Sequence, residues 1–450
     1  MKKKASLLNR LTSRCTSILA PLALATLLPS PALALSAPIP PEQQGFFSGS
    51  HAGLKLRSYN DHLTTQDRPD RNASVLGAQA WIASGWTPDP LSFSASASLF
   101  SALTLGTNSY AGNMAHAGSP DSWKQRGWSY PGLWDIQARA GGSLLKYGLL
   151  LPEADAYLVP HDNRALPPTF RGGAFTSQDV SDLKLIAGSF DKVVPRGQSD
   201  LKPLTTEYSR APVSRFSYLG GAYRLTKDAQ IVLSGAQARD VWNQYYVSAQ
   251  RSIGDAATMK WTLRGDYYHT SDTGKSRGGE IRNDAYSFAL TARHEAHAVT
   301  LAFQQILGDQ FFDYMGESAD DRLANSMDVD YNAPHERSIQ LRYAVDLQGY
   351  GVPGLSITVW GVKGWGADAG NMANRLSPGT PRYDLYWSGG EPVHGSHSEI
   401  GMIPAYLIQT PELRGSAVTL SLMHHMGSAH YSDPSSNVAR LVMNVPLTVF

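Results

Sequence analysis

The chain contains one cysteine, Cys15, among its 450 residues. This residue lies within an N-terminal segment that we predict to be removed on export, so the mature chain has no cysteine. Disulfide bonds are therefore excluded as a source of stability, although an exported protein would meet an oxidising compartment.

Long apolar runs are also lacking. Beyond the N-terminal segment no stretch of about 18 apolar residues occurs, which excludes transmembrane helices. The mean hydropathy of −0.27 does not exclude a membrane protein built from strands, because only every second residue of a membrane barrel faces lipid.

The chain also lacks an excess of basic over acidic residues. The chain has 39 Lys and Arg against 38 Asp and Glu, and removal of the N-terminal segment leaves 34 against 38. A nucleic-acid-binding protein would need a positive balance, so that class is disfavoured.

The N-terminus has the composition of a secretory signal peptide. Five basic residues precede an apolar stretch over 18–28, and Ala32-Leu33-Ala34 supplies small residues where a signal peptidase cuts. We predict a signal peptide over residues 1–34, with cleavage after Ala37 as the alternative. Residues 35–450 contain no linker or charge run, and we predict one domain.

The dominant pattern of the mature chain is alternation with period two, which predicts strands. Ile339, Leu341, Tyr343 and Val345 alternate with polar residues, and similar stretches recur through the chain. The 41 glycines and 27 prolines mark the turns between them. A soluble all-β fold would also alternate, but strands of about ten residues better suit a membrane crossing.

Aromatic residues also favour the membrane alternative. Several of the 10 tryptophans and 21 tyrosines lie near predicted strand ends, as interfacial girdles require, among them Trp81, Trp86, Trp261, Tyr267 and Trp360. The fold class that we predict is all-β, a transmembrane antiparallel β-barrel of about 18 strands with an inward-folded constriction loop.

The C-terminal strand is typical of bacterial outer-membrane barrels. Leu441, Met443, Val445 and Leu447 alternate with less apolar residues, and the sequence finishes with Phe450. We expect Phe450 to be read by the barrel-assembly machinery, and we expect the protein to contact outer-membrane lipid and lipopolysaccharide in a Gram-negative bacterium.

Several segments resemble the OprD-type family of substrate-specific outer-membrane porins. They are spread over nearly the whole mature chain in the family's order: 51–59, 145–152, 162–172, 242–246, 308–314, 323–326, 336–338, 351–355 and 444–450. The resemblance implies a barrel of about 18 strands, either a monomer or a loose homotrimer. It also implies a narrow pore for small carboxylate-bearing solutes such as amino acids, aromatic acids or sugar acids, with no catalysis, cofactor or metal.

Selectivity in such a pore comes from charges that line a constriction, and a row of arginines can pass a carboxylate from one guanidinium to the next. Alternation turns some basic side chains toward the lumen, and the Pro- and Gly-rich stretch 158–175 is expected to form the constriction. Asp155 and Asp162 could form an opposing acidic wall. The predicted basic pathway consists of Arg57, Arg139, Arg164, Arg171, Arg224, Arg264 and Arg342.

The sequence departs from the family pattern on the far side of the predicted pore. Trp360 stands where relatives place arginine, and Lys363 lies on the other parity. In the penultimate strand, Ser421 and Met423 stand where the family pattern predicts two alternating arginines. Pro404 would also interrupt a strand. These departures leave open a weaker and broader pore.

Two other functions remain as alternatives. One is a lipase-like enzyme built on a barrel, for which Ser421 with His425 is the nearest candidate pair. The other is a structural or adhesive barrel with a plugged lumen. A zinc site at His294 and His297 is disfavoured, because their spacing is one residue short of the protease motif and a strand would turn them to opposite faces.

Overall fold

The computed structural model describes residues 43–108, 110–116, 127–319, 321–380 and 382–448. The predicted signal peptide and Phe450 lie outside the described residues, so the predictions made for them remain untested. The described chain folds into a closed antiparallel barrel of 18 strands, which confirms the predicted fold class.

The barrel strands are 8 to 17 residues long. In chain order they are β1 (His51–Thr65), β2 (Arg68–Ala83), β3 (Leu91–Thr107), β4 (Gly127–Ala140), β5 (Ser143–Leu150), β6 (Thr169–Ser177), β7 (Leu183–Val194), β10 (Phe216–Thr226), β11 (Ala229–Ala238), β12 (Trp242–Asp255), β13 (Met259–Asp272), β14 (Arg282–His294), β15 (His297–Leu307), β16 (Arg337–Asp346), β17 (Leu355–Asp368), β20 (His394–Leu407), β21 (Ala417–Gly427) and β22 (Ser436–Thr448).

The loops carry shorter elements. These are the strands β8 (Lys202–Thr205), β9 (Pro212–Val213), β18 (Trp387–Ser388) and β19 (Glu391–Pro392), the helices α1 (Gly370–Ala373) and α2 (Tyr383–Tyr386), and 3₁₀ turns at Gly112–Met114, Gln348–Tyr350 and Pro411–Leu413. Among the described residues, neither helix has the length and apolar character needed to cross a membrane.

Each barrel strand pairs with its neighbours along the chain, and the last strand pairs with the first. The β1–β22 ladder runs from the pair Gly53–Thr448 to the pair Thr65–Ser436. Closure leaves no strand edge in the ring, so the backbone N–H and C=O groups of the wall are satisfied within the barrel.

The predicted alternation separates two surfaces of the wall. Leu341 is 59% exposed and Ile339 43% exposed, whereas Gln340 between them is 1% exposed. The outward face thus carries large apolar side chains, and the opposite parity faces the lumen. This confirms the parity on which the membrane interpretation depends.

The predicted aromatic girdle is correct for some positions and wrong for one. Trp81, Trp261 and Tyr267 are exposed on the outer face. Trp360 instead points into the lumen, where it is 5% exposed and its Nε1 donates to Glu399 at 2.6 Å. Trp360 lies within β17 and not at its end, and it shares its parity with the buried, lumen-side Val362.

Pro404 lies within β20 rather than ending it. On one side, β20 stays paired with β17, and Ile357 lies opposite Pro404. On the other side, the ladder with β21 skips from the pair Met402–Leu422 to the pair Ala405–Thr419. A proline is tolerated here because the strand gives up ladder bonds only on one side.

The lumen is occupied by loops that fold inward from the ends of the strands. One apolar cluster joins Tyr157 and Leu158 of the β5–β6 loop to wall residues of β6 to β15. A second cluster joins Leu166 of the same loop to the wall on the β1 and β22 side. The charged side chains of the lumen lie between these packed regions.

Candidate functional site

The loop between β5 and β6, residues 151–168, here named L3, enters the lumen through a turn held by Asp155. Its carboxylate accepts the backbone N–H groups of Tyr157 and Leu158 at 2.7 and 2.8 Å. The Tyr268 hydroxyl donates to the Ala156 carbonyl at 2.6 Å. These bonds fix the loop tip against the barrel wall.

The predicted role of Asp155 as part of an acidic wall facing solutes is therefore wrong. Asp155 is only 5% exposed, and its carboxylate turns onto the backbone of its own loop. Burial raises the pKa of Asp155 to about 6. The side chain shapes L3 instead of meeting the permeating solute.

A second loop completes the constriction. Residues 308–336 between β15 and β16, named L7, run antiparallel to L3 where the Val159 N–H donates to Ser318 Oγ at 2.9 Å and the Ala319 N–H to the Val159 carbonyl at 2.6 Å. Arg196 binds Glu317 at 2.6 Å and the Asn163 side chain at 2.7 Å. Only one inward loop was predicted from the sequence, and L7 was not predicted.

The predicted constriction segment also needs a correction at its C-terminal side. Residues 169–175 belong to β6 and not to the loop. The inward segment is therefore 151–168, and its glycine-rich continuation is part of the barrel wall.

Arg57 and Asp162 come together as a buried anchor. Arg57 is 1% exposed, and both of its terminal nitrogens contact the Asp162 carboxylate, with Nη2 to Oδ2 at 2.7 Å. Nη1 also donates to the Arg164 carbonyl at 2.8 Å, and Nε donates to Asn444 Oδ1 at 2.7 Å. Arg57 lies inside the lumen as alternation predicted, but its guanidinium is 1% exposed and ties L3 to β1 and β22 instead of facing the solute.

Arg164 has a different environment. Its Nε donates to Asn113 Oδ1 at 3.1 Å, and its Nη1 donates to the Asn163 carbonyl at 2.8 Å and to the Tyr59 hydroxyl at 3.4 Å. All of these acceptors are neutral, and the residue is half-buried. Arg164 thus presents inside the lumen a guanidinium that is bonded to no carboxylate of the described residues.

A group of charges surrounds Arg164, and we name it the eyelet. It consists of Arg164 on L3, Asp328 on L7, and Arg71, Asp61 and Arg440 on the wall. Arg164 interacts electrostatically with Asp61 and Arg440, and Asp328 interacts with Arg440, Asp61 and Arg164. Burial raises the pKa of Asp328, opposed by the nearby positive charges.

Arg440 was missed as a candidate although the sequence contained the signal for it. It alternates with Leu441, which is 44% exposed on the outer face, so its own side chain points inward. Arg440 binds the Asp61 carboxylate, which also accepts the Tyr59 hydroxyl at 2.8 Å.

His161 beside the eyelet adds no charge at neutral pH. Burial and the positive charges of Arg196, Arg164 and Arg440 lower the pKa of His161 to about 2. The eyelet therefore owes its positive character to arginines alone.

The other predicted arginines do not gather at the eyelet. Arg139 and Arg224 face the lumen near the ends of β4 and β10 opposite to L3, and Arg224 lies 3.5 Å from Asp182. Arg264 donates to Asp266 at 2.8 Å and to the Tyr246 hydroxyl at 3.2 Å. Arg342 points inward, and its Nε is buried without a hydrogen-bond partner in the part of the chain that the structure describes.

Arg171 does not belong to the pathway. Its neighbour Phe170 is 1% exposed in the interior cluster, so Arg171 lies on the opposite, outer face of β6. There it binds Asp191 through two hydrogen bonds of 2.8 and 3.0 Å. The prediction failed because Arg171 was assigned to a loop, where strand parity would not apply.

In the part of the chain that the structure describes, few cations face the far side of the lumen. Lys363 is exposed on the outer parity, and Ser421 and Met423 face inward. The acid Glu399 was not anticipated. It accepts Trp360 Nε1 and the Val329 N–H at 2.9 Å, so it holds L7 against the wall.

A second buried group fixes the C-terminal side of L7. The ring of His397 stacks between Tyr331 and Tyr431, with centroid distances of 4.1 and 4.0 Å. His397 Nε2 lies 2.8 Å from Glu336 Oε1, and its Nδ1 is bonded to His425 Nε2 at 2.9 Å. Burial raises the pKa of Glu336 to about 8.

These features define the class of protein. A closed 18-stranded barrel with an apolar outer face, and a charged lumen narrowed by two infolded loops, has the architecture of an outer-membrane porin. Comparison with known proteins gives the family. Residues 44–449 match the model of the family described as outer membrane porin, OprD family. The chain belongs to this family.

Individual relatives agree with the family match. The chain is 28% identical over 430 residues to Porin D of Pseudomonas aeruginosa, covering 91% of this chain and 93% of that one. It is 26% identical over 342 residues to the porin-like protein GalP of Pseudomonas putida, covering 74% and 82%.

Solved structures give the same picture. Pseudomonas aeruginosa OccD3 (OpdP) superposes with a TM-score of 0.79 at 35% identity, over 90% of this chain and 93% of that one. Pseudomonas aeruginosa OprD superposes with a TM-score of 0.76 at 27% identity, over 90% and 97%. The protein is thus a substrate-specific outer-membrane porin of a Gram-negative bacterium.

Proposed function

We propose that this porin passes small carboxylate-bearing solutes through the eyelet by passive diffusion. Amino acids, aromatic acids and sugar acids are the solute classes that fit. The observation that carries the proposal is Arg164, a lumen-facing guanidinium whose hydrogen-bond acceptors among the described residues are all neutral. A solute carboxylate can supply the charged acceptor that the protein does not, and a guanidinium favours a bidentate carboxylate.

Further arginines support passage beyond the eyelet. Arg139, at the end of β4 away from L3, bonds only weakly, to the Gly141 carbonyl at 3.4 Å. Arg342 also points inward, and its side chain is half-buried. Each offers a carboxylate a favourable but reversible contact, as conduction requires.

The acids of the eyelet refine the expected substrate class. Asp328 stands near Arg164 and Arg440. A constriction with both signs of charge favours solutes that carry an ammonium group as well as a carboxylate. We therefore place amino acids ahead of simple acids.

Liposome swelling and planar-bilayer recording test this proposal. We expect carboxylate solutes to enter faster than neutral sugars of equal size, and we expect Arg164→Ala to reduce that preference several-fold. Lys227→Ala is the matched control, because Lys227 is 91% exposed in the β10–β11 turn. An unchanged preference in Arg164→Ala would reject the role of Arg164, and a protein without conductance would reject the pore itself.

The enzyme alternative finds no support in the geometry. Ser421 and His425 face the same side of β21 but stand four residues apart, which is about 13 Å along a strand. His425 is bonded to His397 and to the Pro434 carbonyl at 3.1 Å. The homologues named above are porins. The plugged-barrel alternative is decided by the conductance measurement.

A further inference from the structure

The outer face of the barrel carries a group of cations that the pore does not use. Arg171 on β6, Lys192 on β7, Arg215 before β10 and Arg239 after β11 occupy the ends of four consecutive strands. We name these four residues the rim cluster. Neighbouring strands lie about 4.8 Å apart, so the four side chains can form one patch.

Strand pairing places the rim cluster in a continuous row. Arg171 is the cross-strand partner of Lys192. Phe190 pairs with Phe216, and Phe216 pairs with Ala238, so Arg215 and Arg239 follow at the next positions of these ladders. The Arg239 N–H donates to the Arg215 carbonyl at 3.0 Å, which extends the ladder through both arginines.

Parity directs the cluster away from the lumen. Phe216 is 1% exposed and Ala238 is 0% exposed in the interior cluster, whereas the adjoining Arg215 and Arg239 are exposed. Arg215 donates to Ser189 Oγ at 3.1 Å on the outer face. Asp191 is the one carboxylate that the described structure shows bonded to the cluster, through Arg171.

The cluster stands directly beyond the lipid-facing apolar surface. Leu219 on β10 is 63% exposed, Leu233 on β11 55%, and Tyr245 on the neighbouring β12 56%. The cluster lies at the strand ends from which L3 leaves, which is the side of the longer loops and hence the outer leaflet. Its cations are therefore at the level of lipid headgroups.

The opposite side of the barrel differs at the same level. There the outward side chains include His424, Asn437, Thr64, His62 and Asn72, which bond to one another. Asn437 Oδ1 lies 2.7 Å from His424 Nδ1, and Asn437 Nδ2 donates to Thr64 Oγ1 at 3.0 Å. An anionic headgroup would find four neighbouring cations on the β6–β11 side. Among the described residues, the β21–β2 side offers neutral amides and imidazoles and the single exposed Arg68 at the start of β2.

We propose that the rim cluster binds the phosphate groups of the outer-leaflet glycolipid, the lipid A portion of lipopolysaccharide. Arginine guanidinium groups match phosphate oxygens with paired hydrogen bonds, and the acyl chains can lie against the apolar surface below. The site is independent of the pore, because Phe170, Phe190 and Phe216 separate it from the lumen.

Native mass spectrometry of the detergent-solubilised barrel tests the site. We expect bisphosphorylated lipid A to bind wild type, and we expect the double variant Arg215→Gln with Arg239→Gln to bind it at least tenfold more weakly. The matched control is Lys227→Gln with Arg251→Gln, which removes two exposed cations at the other end of the barrel. The heat-modifiable gel mobility of each variant verifies that the barrel is folded.

Three outcomes would overturn the proposal. The first is equal loss of binding in both double variants, which would indicate attraction by overall charge. The second is equal binding of lipid A from which both phosphates have been removed. The third is inorganic phosphate binding to the wild-type barrel with the affinity of lipid A, which would assign the cluster to a soluble anion.

Discussion

At the scale of single residues, the role of an arginine in this lumen is decided by its acceptors. Arg57 on β1 contacts L3, and Arg164 lies within L3. Arg57 binds a carboxylate, two carbonyls and an amide, and it is 1% exposed. Within the described part of the chain, Arg164 binds neutral acceptors only, and it is half-buried. Arg57 therefore has a structural role, whereas Arg164 is available to bind a solute.

At this scale, the buried Glu336 predicts that the stability of the folded barrel depends on pH. Burial raises its pKa to about 8 from an ordinary value near 4.5. The folded barrel therefore holds the carboxyl proton more tightly than the unfolded chain does. The stabilisation is fully present below pH 4.5 and is lost as the pH rises through 8, at about 1.4 kcal/mol per unit of pKa difference.

The thermal unfolding midpoint in detergent measures this effect between pH 5 and pH 9. We expect the wild-type midpoint to fall with rising pH and Glu336→Gln to flatten that fall, because glutamine mimics the protonated acid. The comparison isolates Glu336 from its neighbours His397 and His425, and Glu412→Gln on an exposed turn is the control. Parallel pH profiles for wild type and Glu336→Gln would contradict the assignment.

At the scale of elements, the constriction is a contact between loops and not a property of one loop. L3 is bound to L7 through backbone bonds at Val159 and Ala319, and to the wall through Arg57. L7 is bound in turn through Glu399 and Glu336. A loop held on several sides loses little further entropy when a solute passes, which suits a selective filter.

Gly77 on β2 tests how closely L3 must approach the wall. A β-carbon built at Gly77 would collide with the backbone carbonyl oxygen of Ala165 in L3. We therefore expect Gly77→Ala to displace L3 and to change single-channel conductance and open-channel noise. Gly106→Ala on the neighbouring β3 is the control, because its new β-carbon would meet nothing within 4 Å. Equal conductance in wild type and Gly77→Ala would show that L3 yields without consequence.

At the scale of the whole molecule, the barrel combines two environments in every strand. The β1–β22 ladder closes the ring, so apolar side chains face lipid all round and polar ones line the lumen. The stability of such a wall depends on which face a substitution meets, even when two positions are adjacent in sequence.

The adjacent positions Leu263 and Thr262 test this dependence. Leu263 is 55% exposed on the outer face of β13, whereas Thr262 faces the lumen and bonds to Ser252. We expect Leu263→Arg to lower the free energy of unfolding in phospholipid bilayers by ~2–4 kcal/mol. Thr262→Arg should cost much less. Urea unfolding measures both, and equal losses would contradict the two-sided wall.

The barrel itself was largely predictable from the sequence. Period-two alternation fixed the orientation of Arg57, Arg139, Arg264 and Arg342 correctly, because a strand in a closed sheet has only two faces. Arg440 carried the same signal and was overlooked. Arg171 was misplaced because proline and glycine content suggested a loop where the chain forms β6.

The sequence by itself determined the strand parity, and with it which side chains meet lipid and which meet water, since parity is a local property of an extended chain. Only the tertiary structure decided which lumen charges are paired and which are left open. Asp162 binds Arg57, which lies 105 positions away in the chain. L7 contacts L3 across an even longer separation. Such pairings depend on how loops fold back inside the ring, and no local pattern in the sequence encodes that path.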